Sequence, residues 1–233
     1  MMSPEGILVI NKPAERTSFS VVAEVRRKSK QKKVGHAGTL DPFATGVLVL
    51  LLGRSYTRLA DRFLQDDKEY ISTFFLGAST DTYDRDGAIL QQSSYIPCNS
   101  EVLGLTEEFQ GEYLQTPPMF SAKKQNGTPL YKFARKGIDL PRKPQPVNIC
   151  IRVLSYEYPH LTLSIACSKG TYIRSIADDF GKRLRTFAHV QTLERTRSGP
   201  FSLDQALTDE QFEQLNPADI QQYFLNQAVY ANS

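Results

Sequence analysis

A carboxylate, an imidazole and three glycines crowd into one short stretch, Lys33-Val34-Gly35-His36-Ala37-Gly38-Thr39-Leu40-Asp41-Pro42-Phe43-Ala44-Thr45-Gly46. Pro42 pushes the backbone of Asp41 toward the extended region and away from helix. The glycines permit tight turns, or close approach of a ligand to the main chain. The apolar run Val47–Leu52 that follows reads as a buried strand. A loop anchored on such a strand can hold a carboxylate in place for chemistry. Taken alone, the same residues equally describe a Gly-rich connection with an ordinary turn aspartate.

The flanking sequence predicts the elements that must position this loop. Ile7–Ile10 reads as a short buried strand, and Asn11-Lys12-Pro13 turns the chain. Ser18 is the expected N-cap of a helix whose Val21, Val22 and Val25 share one face. That helix runs into Arg26, Arg27, Lys28, Lys30, Lys32 and Lys33. Helical spacing over 54–65 places Tyr56, Leu59, Ala60 and Phe63 together, and Tyr70–Leu76 reads as a strand. The acids Asp81, Asp84 and Asp86 lie in a turn-rich segment without the closing glutamate of a calcium loop, so it reads as an acidic surface turn. Ser100 caps a predicted helix carrying Val102, Leu103, Leu105 and Phe109. Val147–Tyr156 and Leu161–Cys167 read as a hairpin. The second strand delivers Lys169-Gly170-Thr171, which lacks the upstream glycine of a nucleotide-phosphate loop. A helix through Leu184 follows, then a strand over 187–196 and two helices near 203–215 and 217–230.

Charge is distributed unevenly. The chain has 233 residues and a net charge of +3, yet residues 204–233 hold five acids and no lysine or arginine, leaving the remainder at +8. Segment 115–147 carries Lys123, Lys124, Lys132, Arg135, Lys136, Arg142 and Lys143 against Asp139 alone, interleaved with Tyr131 and Phe133. Basic residues mixed with aromatics favour a nucleic-acid surface over a merely solvated loop. Cys98, Cys150 and Cys167 are odd in number and lack C-x-x-C spacing, which points to a reducing compartment and a cytoplasmic protein. No apolar run approaches the roughly 20 residues of a membrane span, so no membrane partner is expected.

Gly35-His36-Ala37-Gly38-Thr39-Leu40-Asp41-Pro42-Phe43-Ala44-Thr45-Gly46 fills every fixed position of G-H-x-G-x-L-D-P-x-A-T-G and resembles the signature of the TruB-type tRNA pseudouridine synthases. Ile10-Asn11-Lys12-Pro13, Asp67-Lys68-Glu69-Tyr70, Thr80-Asp81-Thr82-Tyr83-Asp84, Lys169-Gly170-Thr171-Tyr172-Ile173-Arg174 and Ala188-His189-Val190 with Leu193 resemble further family motifs in family order, over roughly residues 6–200. Three departures stand out: Asn11 for an aspartate, Glu15 for a turn glycine, and Glu194 for an arginine.

The resemblance implies an α+β pseudouridine synthase fold, a mixed, mostly antiparallel sheet with flanking helices and a central cleft floored by the Asp41 loop. It implies a single catalytic domain over 1–233, with 115–147 as a basic thumb-like insertion, 204–233 as acidic C-terminal helices, and no C-terminal PUA module. The implied activity is isomerisation of the T-loop uridine of tRNA, position 55 in tRNA numbering, by a monomer that grips the T-arm. That reaction breaks the N1–C1′ bond, turns the base and rejoins it through C5, with no redox change. It therefore needs no cofactor, nucleotide or metal, whereas a hydrolytic glycosidase uses paired carboxylates and admits water. The implied catalytic set is Asp41, with Arg174 as its ion-pair partner and Tyr70 stacking on the base. Tyr172 and Leu193 would line the pocket. His36 would stack where the flipped base had been, and Lys12, Lys169, Lys123, Lys124 and Lys132 would contact RNA. The alternative is a non-catalytic RNA-binding module or tRNA-folding chaperone on the same scaffold, against which the intact Asp41, Tyr70 and Arg174 set argues.

Overall fold

The computed structural model describes residues 4–125, 127–216 and 219–225. In chain order the elements are β1 (Gly6–Lys12), α1 (Ser18–Ser29), β2 (Val34–His36), β3 (Thr45–Leu52), α2 (Arg54–Thr57), α3 (Ala60–Leu64) and β4 (Lys68–Leu76). There follow β5 (Ala78–Thr80), β6 (Ile89–Gln92), α4 (Asn99–Glu108), β7 (Gly111–Gln115), β8 (Lys124–Gln125), β9 (Thr128–Pro129) and α5 (Leu130–Ala134). The chain continues through β10 (Gln145–Glu157), β11 (His160–Cys167), α6 (Ile173–Arg183), β12 (Ala188–Ser198), β13 (Phe201–Ser202) and α7 (Asp209–Glu213). It divides into two compact units, one of residues 1–70 with 193–233 and the other of residues 71–192.

The first unit is organised around β3. β1 pairs antiparallel along its whole length, from Gly6 opposite Leu52 to Lys12 opposite Gly46. On the other edge β2 pairs antiparallel with the end of β3, and β12 pairs parallel with its beginning. Alternate residues of β1 and β3 enter two different cores. Leu8, Ile10, Leu48, Leu50 and Leu52 meet Val21, Val22 and Val25 of α1 together with Phe212 and Leu215. Ile7, Val9, Val47, Val49 and Leu51 meet Phe63 and Phe201. Burial on both faces explains why 47–52 is apolar without alternation. The second unit is built on the strand order β4-β11-β10-β7, with β10 antiparallel to both neighbours. Phe109 and Phe74 each meet Phe180 of α6, at ring-centroid distances of 5.2 and 6.2 Å. The mainly antiparallel sheet, mixed by the parallel β3–β12 pair, is the expected α+β architecture.

Several boundaries differ from expectation. The N-cap of α1 is Thr17, whose Oγ1 accepts from the Ser20 amide at 3.0 Å, and the cap of α4 is Cys98 rather than Ser100. Segment 54–65 forms two short helices, which still put Phe63 in the core with Tyr56 and Leu59 packed against it. The long helix expected near 203–215 is replaced by a 3-10 turn at Leu203–Gln205 and the short α7. Two capping boxes, Ser202 with Gln205 and Thr208 with Gln211, explain the break, because each starts a new helical turn. Of the helix expected over 217–230, Ile220–Tyr223 is a 3-10 turn, while 217–218 and 226–230 lie outside the described residues.

Two glycine substitutions test this packing in opposite directions. Gly46 has φ +104°, and a Cβ there would sit 2.3 Å from the Arg195 carbonyl oxygen. Gly46→Ala should therefore lose more than about 1 kcal/mol in urea unfolding. Gly104 lies inside α4 with open space where a methyl would stand, so Gly104→Ala should gain about 0.5–1 kcal/mol.

Candidate active site

The Asp41 loop is the connection of the β2–β3 hairpin, and its main chain is fixed atom by atom. The Ala37 amide donates to Val49 O at 3.0 Å, and the Ala44 amide donates to Asp41 O at 3.2 Å. Ser18, not needed as a cap, brackets Leu40: its Oγ accepts from the Leu40 amide at 2.9 Å and donates to the Leu40 carbonyl at 3.1 Å. Asn11 Oδ1 accepts from the Gly46 amide at 3.1 Å, a task an amide oxygen performs as well as a carboxylate. Glu15 takes φ 61°, so it keeps the left-handed turn that a glycine would supply.

Lys12 has a different role from the phosphate contact expected of it. It is fully buried, and its ammonium donates to Pro13 O at 2.7 Å, Arg16 O at 2.6 Å and Pro42 O at 3.0 Å. All three donors are committed to carbonyls, which leaves none for RNA. Burial, opposed by the charge of Asp41, brings its pKa down to about 8. Arg195 is 1% exposed and serves the other side of the loop. Its Nε donates to Val47 O at 2.7 Å, Nη2 to Gly38 O at 3.1 Å and Nη1 to Thr39 O at 3.4 Å. His36 ends β2, and burial followed by the Arg195 charge lowers its pKa, so the ring is neutral at pH 7 and suited to stacking rather than ion pairing. Tyr70 on β4 and Leu193 on β12 are nearly buried residues of this same unit.

In the second unit, Arg174 and Tyr172 stand at the start of α6. Arg174 is 4% exposed; it donates to Thr82 O at 3.2 Å and Phe120 O at 2.8 Å, and its Nη1 lies 3.6 Å from Asp84. The acidic turn that supplies Asp84 is braced internally. Asp84 Oδ1 accepts from Thr82 Oγ1 at 2.6 Å and from the Asp86 amide at 3.1 Å, and Asp81 accepts from the Ala88 amide at 2.8 Å. Gln115, fully buried, pins the turn before α6 from both sides. It donates to Gly170 O at 2.6 Å and accepts from the Tyr172 amide at 2.9 Å. Lys169 is exposed on that turn, and Lys124 and Lys132 are exposed on the basic insertion, where Lys123 is half-buried. Sequence reasoning missed Arg195, Gln115 and the exposed series Arg54, Arg58 and Arg62, whose four-residue spacing was legible.

Comparison with known proteins places this geometry. The structure is similar to that of a Cbf5–Nop10–Gar1 complex, 30% identical with a TM-score of 0.69, over 88% of this chain and 52% of that one. It is also similar to an H/ACA RNP bound to a substrate RNA containing 2'-deoxyuridine, 27% identical with a TM-score of 0.64, over 87% and 50% of the two chains. The chain thus spans about half the length of these solved structures. Two family models match in tandem, the TruB family pseudouridylate synthase N-terminal domain over residues 26–173 and the tRNA pseudouridylate synthase B C-terminal domain over residues 174–228. The likeness therefore extends beyond residue 200, where the recognised motifs stop. The tRNA pseudouridine synthase B of Protochlamydia amoebophila (strain UWE25) is 55% identical over 203 residues, 87% of this chain and 78% of that protein. The chain belongs to the TruB family of pseudouridylate synthases, which are isomerases.

The buried ammonium makes a pH prediction. Folded Lys12 releases its proton at about 8, against an ordinary value of 10.5, so between these values the unfolded chain holds the extra proton. This group's contribution is fully present above the unfolded value and is lost as pH falls through about 8. Wild-type stability measured relative to Lys12→Met should therefore rise between about pH 8 and about pH 10.5 in urea titrations. A flat difference would show that Lys12 titrates normally.

Proposed function

We propose that the protein converts the T-loop uridine of tRNA, position 55 in tRNA numbering, to pseudouridine. The observation that carries this reading is a single carboxylate, Asp41, on a hairpin loop whose main chain is gripped on both sides. A reaction that breaks N1–C1′ and makes C5–C1′ within one nucleotide needs one such group and a pocket that retains the detached base. The uridine flips out of its loop, at a cost of a few kcal/mol. Asp41 acts on the ribose or the base, and Arg174 is the further catalytic residue of the same reading. Tyr70 stacks on the uracil, and its hydroxyl takes part in removing the C5 proton while N1 gains one. Tyr172 and Leu193 are substrate-binding residues, and the neutral His36 ring stacks in the vacated space. Phosphates are met by Lys169, Lys123, Lys124 and Lys132, with Arg54, Arg58 and Arg62 as further exposed cations.

Tritium release from C5-labelled uridine in tRNA measures the reaction directly. Asp41→Asn should release none above background while binding tRNA within about threefold of wild type. Comparable release by the variant would overturn the assignment. Neutralising Lys124, Lys132 and Lys136 together should lower the slope of log affinity against log salt by about 0.7–0.9 per lost phosphate contact. An unchanged slope would remove the basic insertion from the RNA interface.

A further inference from the structure

Arg195 is among the largest wholly buried side chains in the protein, and no part of the proposed chemistry uses it. Its placement follows from the parallel register of β12 on β3, which sets Arg195 beside Gly46. Because Gly46 has no side chain, the two backbones touch there. The guanidinium then reaches along the loop and donates to Val47 O, which follows Asp41, and to Gly38 O and Thr39 O, which precede it. Lys12 holds Pro42 O, directly after Asp41.

We propose that Arg195 is a positioning residue for Asp41, a three-pronged clamp that fixes the loop main chain so that the carboxylate is presented in one orientation. Three features favour this over a general stabilising role. All three acceptors belong to the hairpin connection or its first strand residues, and all three are main-chain oxygens rather than core side chains. The fork geometry of a guanidinium can span three carbonyls, which a lysine ammonium at the same place cannot do with the same spread. The charge of Arg195 also depresses the proton affinity of both His36 and Lys12, which places it within electrostatic reach of the loop's other functional neighbours.

The proposal rests on Asp41 being the reacting carboxylate, so its test has one arm that needs no turnover. In the full chain, Arg195→Lys keeps the charge and removes the fork, and Arg195→Ala removes both. By hydrogen exchange, amides of residues 37–44 should exchange at least about tenfold faster in Arg195→Lys while those of β1 keep wild-type protection. With tRNA, kcat should fall about 100-fold and KM should stay within about threefold, as expected when a reacting group is misplaced by around 1 Å. Added guanidinium ion should restore at least about tenfold of the kcat lost in Arg195→Ala. A wild-type protein that forms no pseudouridine would sink the functional reading and leave the exchange arm to judge the clamp. Arg195→Lys with wild-type kcat, or with loop and β1 exchange raised equally, would overturn the positioning role. So would failure of both variants to fold, which would make Arg195 a folding residue.

Discussion

Two buried cations donating to main-chain carbonyls hold the site together. Desolvating an ammonium or a guanidinium is costly unless its donors are used, and here each cation finds three oxygens. The arrangement is conditional. Removing one partner from a buried charged contact costs about 3–5 kcal/mol, because the remaining group is left uncompensated. The loop must therefore adopt this conformation for the surrounding charges to be tolerated, and the charges must be there for the loop to keep it. Two further buried lysines follow the same pattern, Lys28 donating to Phe212 O and Glu213 O, and Lys68 donating to Leu64 O.

The strands are legible in the sequence because their cause is local. The run Val47–Leu52 is apolar on both sides since it feeds two cores, and the β10–β11 hairpin alternates as a half-covered pair should. The C-terminal helices are not, because Ser202 and Thr208 look like ordinary polar residues inside a helical pattern until their partners Gln205 and Gln211 are seen to close capping boxes. At the site, Asp41 and His36 are legible as members of a dense motif. Arg195 and Gln115 are not. Their partners are main-chain groups up to 157 positions away, and a main-chain carbonyl or amide leaves no mark in the sequence. Lys12 reads as an RNA contact because a lysine beside a proline in a turn usually keeps its ammonium free for a phosphate. Its burial depends on Arg16 and Pro42 closing over the ammonium.

The two units use different means to the same end. In one, cations hold a carboxylate loop from beneath. In the other, a neutral amide, Gln115, holds the turn that launches Arg174, and Asp84 stands against the guanidinium. The brace carries no net charge, so it holds the turn without adding to the charge of the Arg174–Asp84 pair. The departures at Asn11 and Glu15 fit this picture, since each preserves a main-chain contact or conformation while changing the side chain.

The first unit is assembled from two segments that flank the second in sequence, and this gives its synthesis an order. Residues 71–192 form a contiguous unit and have all been made before residues 193–233 can complete the first. Arg195 follows Gly38 by 157 positions. At roughly 5–20 residues per second, that is an interval of about 8–30 s during which the nascent Asp41 loop exists without its clamp. Throughout that time Thr45 and Gly46, the beginning of β3, lack the β12 partner that later pairs with them, so a stalled ribosome would display a chain with its Asp41 motif present but the main chain around it not yet clamped.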